Sequence, residues 1–201
     1  MKYGELVTHV SKPYFTRTDL RLHRLQVYDY QLSLWKKQGK LEQLKRGVYV
    51  FAQKRDELSP HEVSQLLYQP SYISLESALS YYGLIPEMVF AHTAVTTKAT
   101  RSFENCYGRF TYRSIKPELY FGYQAHTTKH GVALLAEPEK ALLDHLYLLP
   151  ARQRTPEGLL ALRINTELLC ETLDATKLQQ YCAVYRSPSI TKAVLSLLAQ
   201  C

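Results

Sequence analysis

Leu41-Glu42-Gln43-Leu44-Lys45-Arg46-Gly47-Val48-Tyr49-Val50-Phe51 reads as two short strands, Leu41 to Leu44 and Val48 to Phe51, joined around Lys45-Arg46-Gly47. Glycine supplies the positive φ that a tight hairpin usually requires, and Lys45 and Arg46 place two cations at its tip. What precedes the hairpin decides its meaning. Between Val27 and Gln38 the apolar residues Tyr28, Leu32 and Trp35 recur at a spacing of four and then three, which puts them on one face of a helix that Gly39 ends. With that stripe buried, Asp29, Tyr30, Ser33, Lys36 and Lys37 project outward. Upstream, Thr16 followed by Asp19 approximates a capping box and opens a short helix carrying Leu20 and Leu22. Before it, Glu5 to Val10 sets Leu6, Val7 and Val10 on one side of a first helix. Three helices followed by a basic-tipped hairpin is the pattern of a winged helix-turn-helix. In that arrangement the second helix of the turn-helix pair enters the major groove while the hairpin touches neighbouring phosphates.

Charge supports the same expectation. Residues 1–55 hold twelve Lys or Arg against four acids, a net of +8, whereas the other 146 residues carry 13 basic and 14 acidic groups. A basic lobe on a neutral body is the footprint of a chain that neutralises phosphates with one part only. Thr16 and Arg17 at the start of the second helix, with Lys45 and Arg46 on the hairpin, are the predicted phosphate ligands. Lys36 and Lys37 add cations at the end of the third helix, whose Tyr30 and Ser33 would face base edges. A second basic group lies at 98–130, where Lys98, Arg101, Arg109, Arg113, Lys116 and Lys129 face two acids, after a segment, 56–97, with five acids and no Lys or Arg. The two segments either pair with each other, the reading slightly preferred, or leave Lys98, Arg101, Arg109 and Arg113 as a second surface for DNA or an acidic partner.

The expected fold class is α+β: a winged helix-turn-helix over 1–55, then a mixed α+β domain over 56–201 with a small antiparallel sheet and C-terminal helices. At 201 residues two domains are favoured, and 46% hydrophobic content is enough to build a core in each. The charged stretch 53–60 is the predicted linker. Helices are expected from Ser59-Pro60, with Ser59 as cap, and after Ser74, again as cap, to a stop at Gly83. Strands are expected at Val89–Thr97, Ser102–Cys106, Arg109–Ser114, Tyr120–Tyr123 and Val132–Leu135. A helix opened by Glu137-Pro138-Glu139 follows, burying Ala141, Leu142, Leu143, Leu146 and Leu149. The tail reads as helices over Pro156–Leu173, Ala175–Tyr185 and Ser189–Gln200.

Several function classes are not motivated. No run approaches the roughly 20 apolar residues of a membrane span, and the N-terminus lacks the apolar core of a signal peptide, so a cytoplasmic protein without a membrane partner is expected. Cys106, Cys170, Cys182 and Cys201 are scattered without metal-ligand spacing, which predicts reduced thiols. Glu137, Glu139 and Asp144 do not share one helical face, and acids are favoured at a helix's positive end, so they do not argue for metal-assisted hydrolysis. His126 and His130 are four apart but in a strand-like or loop-like context with no third ligand. No Gly-rich phosphate loop, nucleophile elbow or Cys-His arrangement occurs; no cofactor and no enzymatic activity are expected.

Three stretches together resemble the AbiEi family of bacterial antitoxins and transcriptional regulators of type IV toxin-antitoxin, abortive-infection systems. They are Leu41 to Tyr49; Tyr72-Ile73-Ser74-Leu75-Glu76-Ser77-Ala78-Leu79-Ser80-Tyr81-Tyr82-Gly83-Leu84-Ile85-Pro86; and Ala136-Glu137-Pro138-Glu139-Lys140-Ala141-Leu142-Leu143-Asp144. The resemblance implies an N-terminal winged helix that represses its own operon on double-stranded promoter DNA, and a C-terminal domain that counters a nucleotidyltransferase-like toxin, with a role in phage defence. The last 50 residues carry no such motif. Regulators of this kind usually act on paired half-sites through two-fold symmetry, although nothing in the sequence specifies a homodimer. The competing expectation is a protein-interaction module that neutralises a toxin by direct contact without specific DNA binding.

Overall fold

The chain begins with α1 (Tyr3–His9), β1 (Tyr14–Thr16), α2 (Arg17–Leu22), α3 (Asp29–Lys37), β2 (Leu41–Lys45) and β3 (Val48–Phe51) in a computed structural model that describes residues 1–86, 91–154 and 162–199. Thr16 starts α2 as expected. Its hydroxyl accepts from the Asp19 N–H at 3.1 Å, while the Asp19 carboxylate accepts from the Thr16 N–H at 2.7 Å. The hairpin closes on Gly47 at φ 82°, a conformation that only glycine adopts without strain. The strands form an antiparallel sheet in the order β1-β3-β2. β1 escaped the sequence reading because three residues are too few to display an alternation. Leu32 and Trp35 are buried with Leu6, Phe15, Leu20, Leu41, Tyr49 and Phe51. Two residues assigned to the apolar face are not there. Tyr28 precedes α3 as its N-cap residue and is 49% exposed, and Leu22, at the end of α2, is 74% exposed.

β3 is buried along its whole length. Alternation sends Tyr49 and Phe51 into the helical core just described, and Val48 and Val50 into a second cluster with Leu58, Val63, Leu67, Ala94, Phe110 and Tyr112. A bulge between Gln43 and Lys45 lets β2 serve both cores, Leu41 packing on one side and Leu44 on the other. The stretch read as a linker is a 3-10 turn over Ala52–Glu57, and Leu58 is buried. Arg55 donates to the Cys106 carbonyl at 2.8 Å, and the Tyr107 hydroxyl donates to the Arg55 carbonyl at 2.6 Å.

The remainder comprises α4 (Pro60–Leu67), β4 (Ser71–Ile73), α5 (Leu75–Tyr81), β5 (Ala91–Thr96), β6 (Arg101–Asn105), β7 (Gly108–Ser114), β8 (Tyr123–Thr127), β9 (Val132–Ala136) and α6 (Pro138–Leu148). Then follow α7 (Thr166–Thr172), α8 (Ala175–Tyr185) and α9 (Pro188–Leu198). The small antiparallel sheet expected here is instead six-stranded and mixed, in the order β6-β7-β5-β4-β9-β8, with β5 parallel to β7 and β4 parallel to β9. The sheet depends on β4, whose three residues are all buried and therefore show no polar-apolar alternation in sequence. The strand expected at Tyr120–Tyr123 is also displaced. Pro117 opens a 3-10 turn over Pro117–Leu119, and the chain becomes extended only from Tyr123. Between them Gly122, at φ 69°, lies so close to α6 and α8 that a Cβ would sit 2.9 Å from Tyr181 and 3.2 Å from Lys140. The strand at Val89–Thr97 runs from Ala91 to Thr96, with 89–90 outside the described residues. The helix expected over Pro156–Leu173 is confined to Thr166–Thr172 among the described residues, after a turn at 162–163; residues 155–161 lie outside them.

Ser74 precedes α5 as expected but does not cap it with its side chain. Its hydroxyl donates to Asp144 at 2.9 Å, and the Thr93 hydroxyl of β5 takes over the capping by accepting from the Ser77 N–H at 3.0 Å. The Ser74 hydroxyl is thus turned, as a donor, to a buried carboxylate rather than to the N–H groups of α5. Asp144 is fully buried, as is Lys140 one helical turn earlier, and the two form an ion pair. Asp144 also accepts from the Tyr72 hydroxyl at 2.8 Å and the Tyr185 hydroxyl at 2.7 Å. The Lys140 ammonium lies over the rings of Tyr72, Phe121 and Tyr185. Burial, with Asp144 beside them, pushes both phenols far above their ordinary range, so they remain donors. Glu137 and Glu139 are structural too: Glu137 accepts from Tyr181 at 2.6 Å, and Glu139 from the Asp174 N–H at 2.8 Å. Cys106 and Cys182 are free thiols, whereas Cys170 is disulfide-bonded, a departure from the reduced thiols expected throughout.

Asp144→Ala would leave the Lys140 ammonium buried without a counter-ion and is expected to cost about 3–5 kcal/mol in urea unfolding. Adding Lys140→Met should restore part of that loss, because no uncompensated charge then remains. Stability should also fall on acidification. Burial holds His61, His92 and His145 below the ordinary histidine value of 6.5. The unfolded chain therefore binds more protons, and their contribution is complete above pH 6.5 and lost as pH falls below it. A urea midpoint that failed to decline from pH 8 to pH 5.5 would contradict this assignment.

Candidate nucleic-acid interface

α3 buries Leu32 and Trp35 and turns Tyr30, Ser33, Leu34 and Lys37 to solvent, the i, i+3, i+4, i+7 set of one helical face. Tyr30 is 68% exposed and its ring stacks on that of Tyr28, centroids 5.9 Å apart. Holding two aromatic rings and a hydroxyl in water has no benefit for the core, so this face is free to meet another molecule. The turn before α3 sets its direction. Arg24 adopts a left-handed φ of 53°, and the Leu25 N–H reaches back to the Leu20 carbonyl at 2.8 Å, so α2 ends sharply and the chain reverses. Arg21 and Arg24 stay exposed beside α3, two cations absent from the predicted site; their signal was local charge density alone.

The predicted residues divide by role. Arg17 joins three elements: its backbone N–H donates to the Gly47 carbonyl at 3.0 Å and its guanidinium to Asp29 at 2.5 Å, beside Tyr49. Hydrogen bonds to Tyr49 and Asp29 hold it charged. It therefore ties the hairpin to the start of α3 and neutralises the one acid on that helix's outer face. Thr16 is committed to its cap, its hydroxyl donating to Asp19 at 2.8 Å. Lys36 donates to Gln43 at 2.6 Å across to β2, whereas Lys37 and Arg46 are exposed with no ion-pair partner among the described residues. Lys45 turns away from the α3 face and donates to the Leu67 carbonyl at 2.7 Å. Burial first, then the charges of Lys98 and Arg101, lower its pKa.

The second basic group does not form one surface. Arg101 lies opposite Tyr112 in the β6–β7 ladder, and Glu104 opposite Arg109. Alternation therefore puts Arg101 on the face towards the N-terminal strands and Arg109 and Arg113 on the other. Among the described residues the internal pairing preferred from sequence is also largely absent: Lys129 pairs with Glu57 at 3.4 Å, while Lys116 pairs with Glu118 inside its own segment at 3.9 Å. Among the described residues no group of His, Cys, Asp or Glu could hold a metal ion. His126 sits in β8 and His130 in the turn after it. No helix among them is long and apolar enough to cross a membrane.

The model of a family described as transcriptional regulators, AbiEi antitoxin, matches residues 9–52, from the end of α1 to just past β3. Of the stretches that carry the resemblance, Leu41–Tyr49 lies inside the match; those at 72–86 and 136–144 lie outside it. No curated protein matches the chain.

Thr16→Ala removes the α2 cap and is expected to lower stability by about 1 kcal/mol, whereas Thr16→Ser keeps it. Thermal unfolding of the two variants beside the parent checks the assignment, and equal losses in both would refute it.

Proposed function

We propose that this protein is a DNA-binding transcriptional repressor whose N-terminal unit acts as a winged helix-turn-helix. α3 enters the major groove, Tyr30 and Ser33 meet base edges, and Lys37, Arg21, Arg17 and Arg46 hold the flanking phosphates. The observation that carries this reading is the outer face of α3, aromatic and polar with a cation at its C-terminal end, flanked by exposed arginines on α2 and on the hairpin tip. The match to AbiEi regulators over this same segment supports it. The resemblance further suggests that the DNA is the promoter of the protein's own operon and that the second unit counters a nucleotidyltransferase-like toxin encoded beside it.

A second reading has its own observation. Leu22, Tyr28, Tyr30 and Leu34 are exposed apolar or aromatic side chains on α2, on α3 and at its N-cap, which would suit a protein partner better than phosphates. Ionic strength separates the two, because affinity carried by phosphate contacts falls steeply with salt.

The test is a titration on the gene's own upstream duplex and on a scrambled duplex at two salt concentrations. The parent should prefer its own sequence and weaken steeply with salt. Lys37→Glu with Arg46→Glu should weaken both duplexes by about tenfold or more, and Tyr30→Ala should lose about 1–3 kcal/mol of discrimination between them. Equal, weak, salt-insensitive binding by parent and variants would leave the protein-contact reading in its place.

A further inference from the structure

The hairpin and the second unit meet across a cleft of about 600 Å³. Lys45 and Arg46 come from the turn of the hairpin, and Lys98 and Arg101 from the start of β6 and the loop before it. These four cations are far apart in sequence and belong to the two basic groups that composition alone separates. No carboxylate lines the cleft among the described residues.

Its charges are held in place by neutral groups. Lys45 donates to the Leu67 carbonyl at 2.7 Å and Lys98 to the Gln69 carbonyl at 2.6 Å. Lys98 and Arg101 both lie over the ring of Tyr68, 5.8 and 5.4 Å from its centroid. Carbonyl dipoles and a ring orient these cations without cancelling them, so their mutual repulsion persists; burial first, and then the charges of Lys98 and Arg101, lower the pKa of Lys45. One further group points the same way. Gln65 on α4 lines the cleft, is 7% exposed, and its Nε2 has no hydrogen-bond partner. A buried amide donor left unpaired costs free energy that an acceptor in the cleft would recover.

We infer that this cleft is a binding site for phosphate groups, formed jointly by the hairpin turn and the second unit, with Lys45, Arg46, Lys98 and Arg101 supplying charge and Gln65 an added donor. An oxyanion with several acceptor oxygens satisfies the orphaned amide and relieves the repulsion among the four cations at once. Phosphate can reach the site as a backbone phosphodiester of bound duplex or as a free polyphosphate. The cleft opens beside the hairpin tip, so either would touch both units simultaneously. The site does not depend on whether α3 reads a base sequence.

Two measurements on the full chain distinguish the sources. One is calorimetric titration with inorganic tripolyphosphate at fixed ionic strength. The other is the salt dependence of duplex binding. Lys98→Gln with Arg101→Gln is the test variant, and Arg109→Gln with Arg113→Gln, on the opposite face of the sheet, removes the same charge as a control. All four side chains are exposed, so unfolding midpoints should stay at the parent value. If the phosphate is free, tripolyphosphate binds the parent and the control and is weakened about tenfold or more in the test variant. If it belongs to DNA, the logarithmic salt slope falls by about 0.9 for each phosphate no longer neutralised, in the test variant alone. Gln65→Met retains every charge, and it should weaken whichever binding is found while leaving stability equal or higher. Test and control variants that behave alike in both measurements would overturn the site. A parent that binds tripolyphosphate but no duplex would retain it and remove the repressor reading instead.

Discussion

The two-sided burial of β3 is the constraint on which the rest of the architecture depends. A strand of four residues buries Tyr49 and Phe51 against the first three helices and Val48 and Val50 against α4 and the strands β5 and β7. Neither unit's apolar surface is complete without the other. Hydrophobic burial is non-directional, but a two-residue period is not, and it forces the helices and the mixed sheet to opposite faces of one ribbon. The bulge in β2 extends the same division to Leu41 and Leu44. Because the strand cannot slip by one residue without exchanging its two cores, the hairpin tip is held in a set position relative to the second unit.

That rigidity bears on what the hairpin can do. In a unit joined by a loose tether, Lys45 and Arg46 would sweep through solvent. Here Lys45 is drawn towards α4 by the Leu67 carbonyl while Arg46 remains exposed beside it. Arg17, over the same turn, links the hairpin to Asp29 at the start of α3. The proposed reading helix, the hairpin and the edge of the second unit are thus one connected surface, with cations placed on it by backbone carbonyls and aromatic rings. Pre-placed charges require less ordering on contact with a polyanion than charges on free chains do.

In the second unit the organising element is polar. Asp144 collects hydroxyls from β4, from the residue before α5 and from α8, and neutralises Lys140 within its own helix. Three stretches distant in sequence, residues 72–74, α6 and α8, meet at one carboxylate. Apolar residues would fill this volume at lower desolvation cost but would accept many packings, whereas a buried acceptor with three donors and a cation tolerates few. Gly122 allows the backbone close enough to Lys140 for the cage to shut. A motif legible as a helix start, Glu137-Pro138-Glu139, is thereby continuous with the tie that joins the tail to the sheet.

Local rules account for what could be read from the residues alone. Thr16 and Ser59 as caps, Gly47 at the hairpin, Pro60 and Pro138 at first helical turns and the Leu32–Trp35 stripe all act within a few residues of chain. Most of the helices, the hairpin and the concentration of charge in the first quarter were therefore already written in the order of the residues. The outward set Tyr30, Ser33 and Lys37 followed from the same periodicity. Other features arise only in the folded chain, because their partners are far apart along it. β1 and β4, three residues each, become strands because neighbours pair with them. Thr93 rather than Ser74 caps α5, because the Ser74 hydroxyl is turned to the buried Asp144 carboxylate. Lys45 joins Lys98 and Arg101 rather than the face of α3 because β3 packs both units onto itself. Backbone propensity acts over a turn of helix, but charge and hydrogen bonding act through space, and no spacing along the sequence encodes which distant groups the fold will bring together.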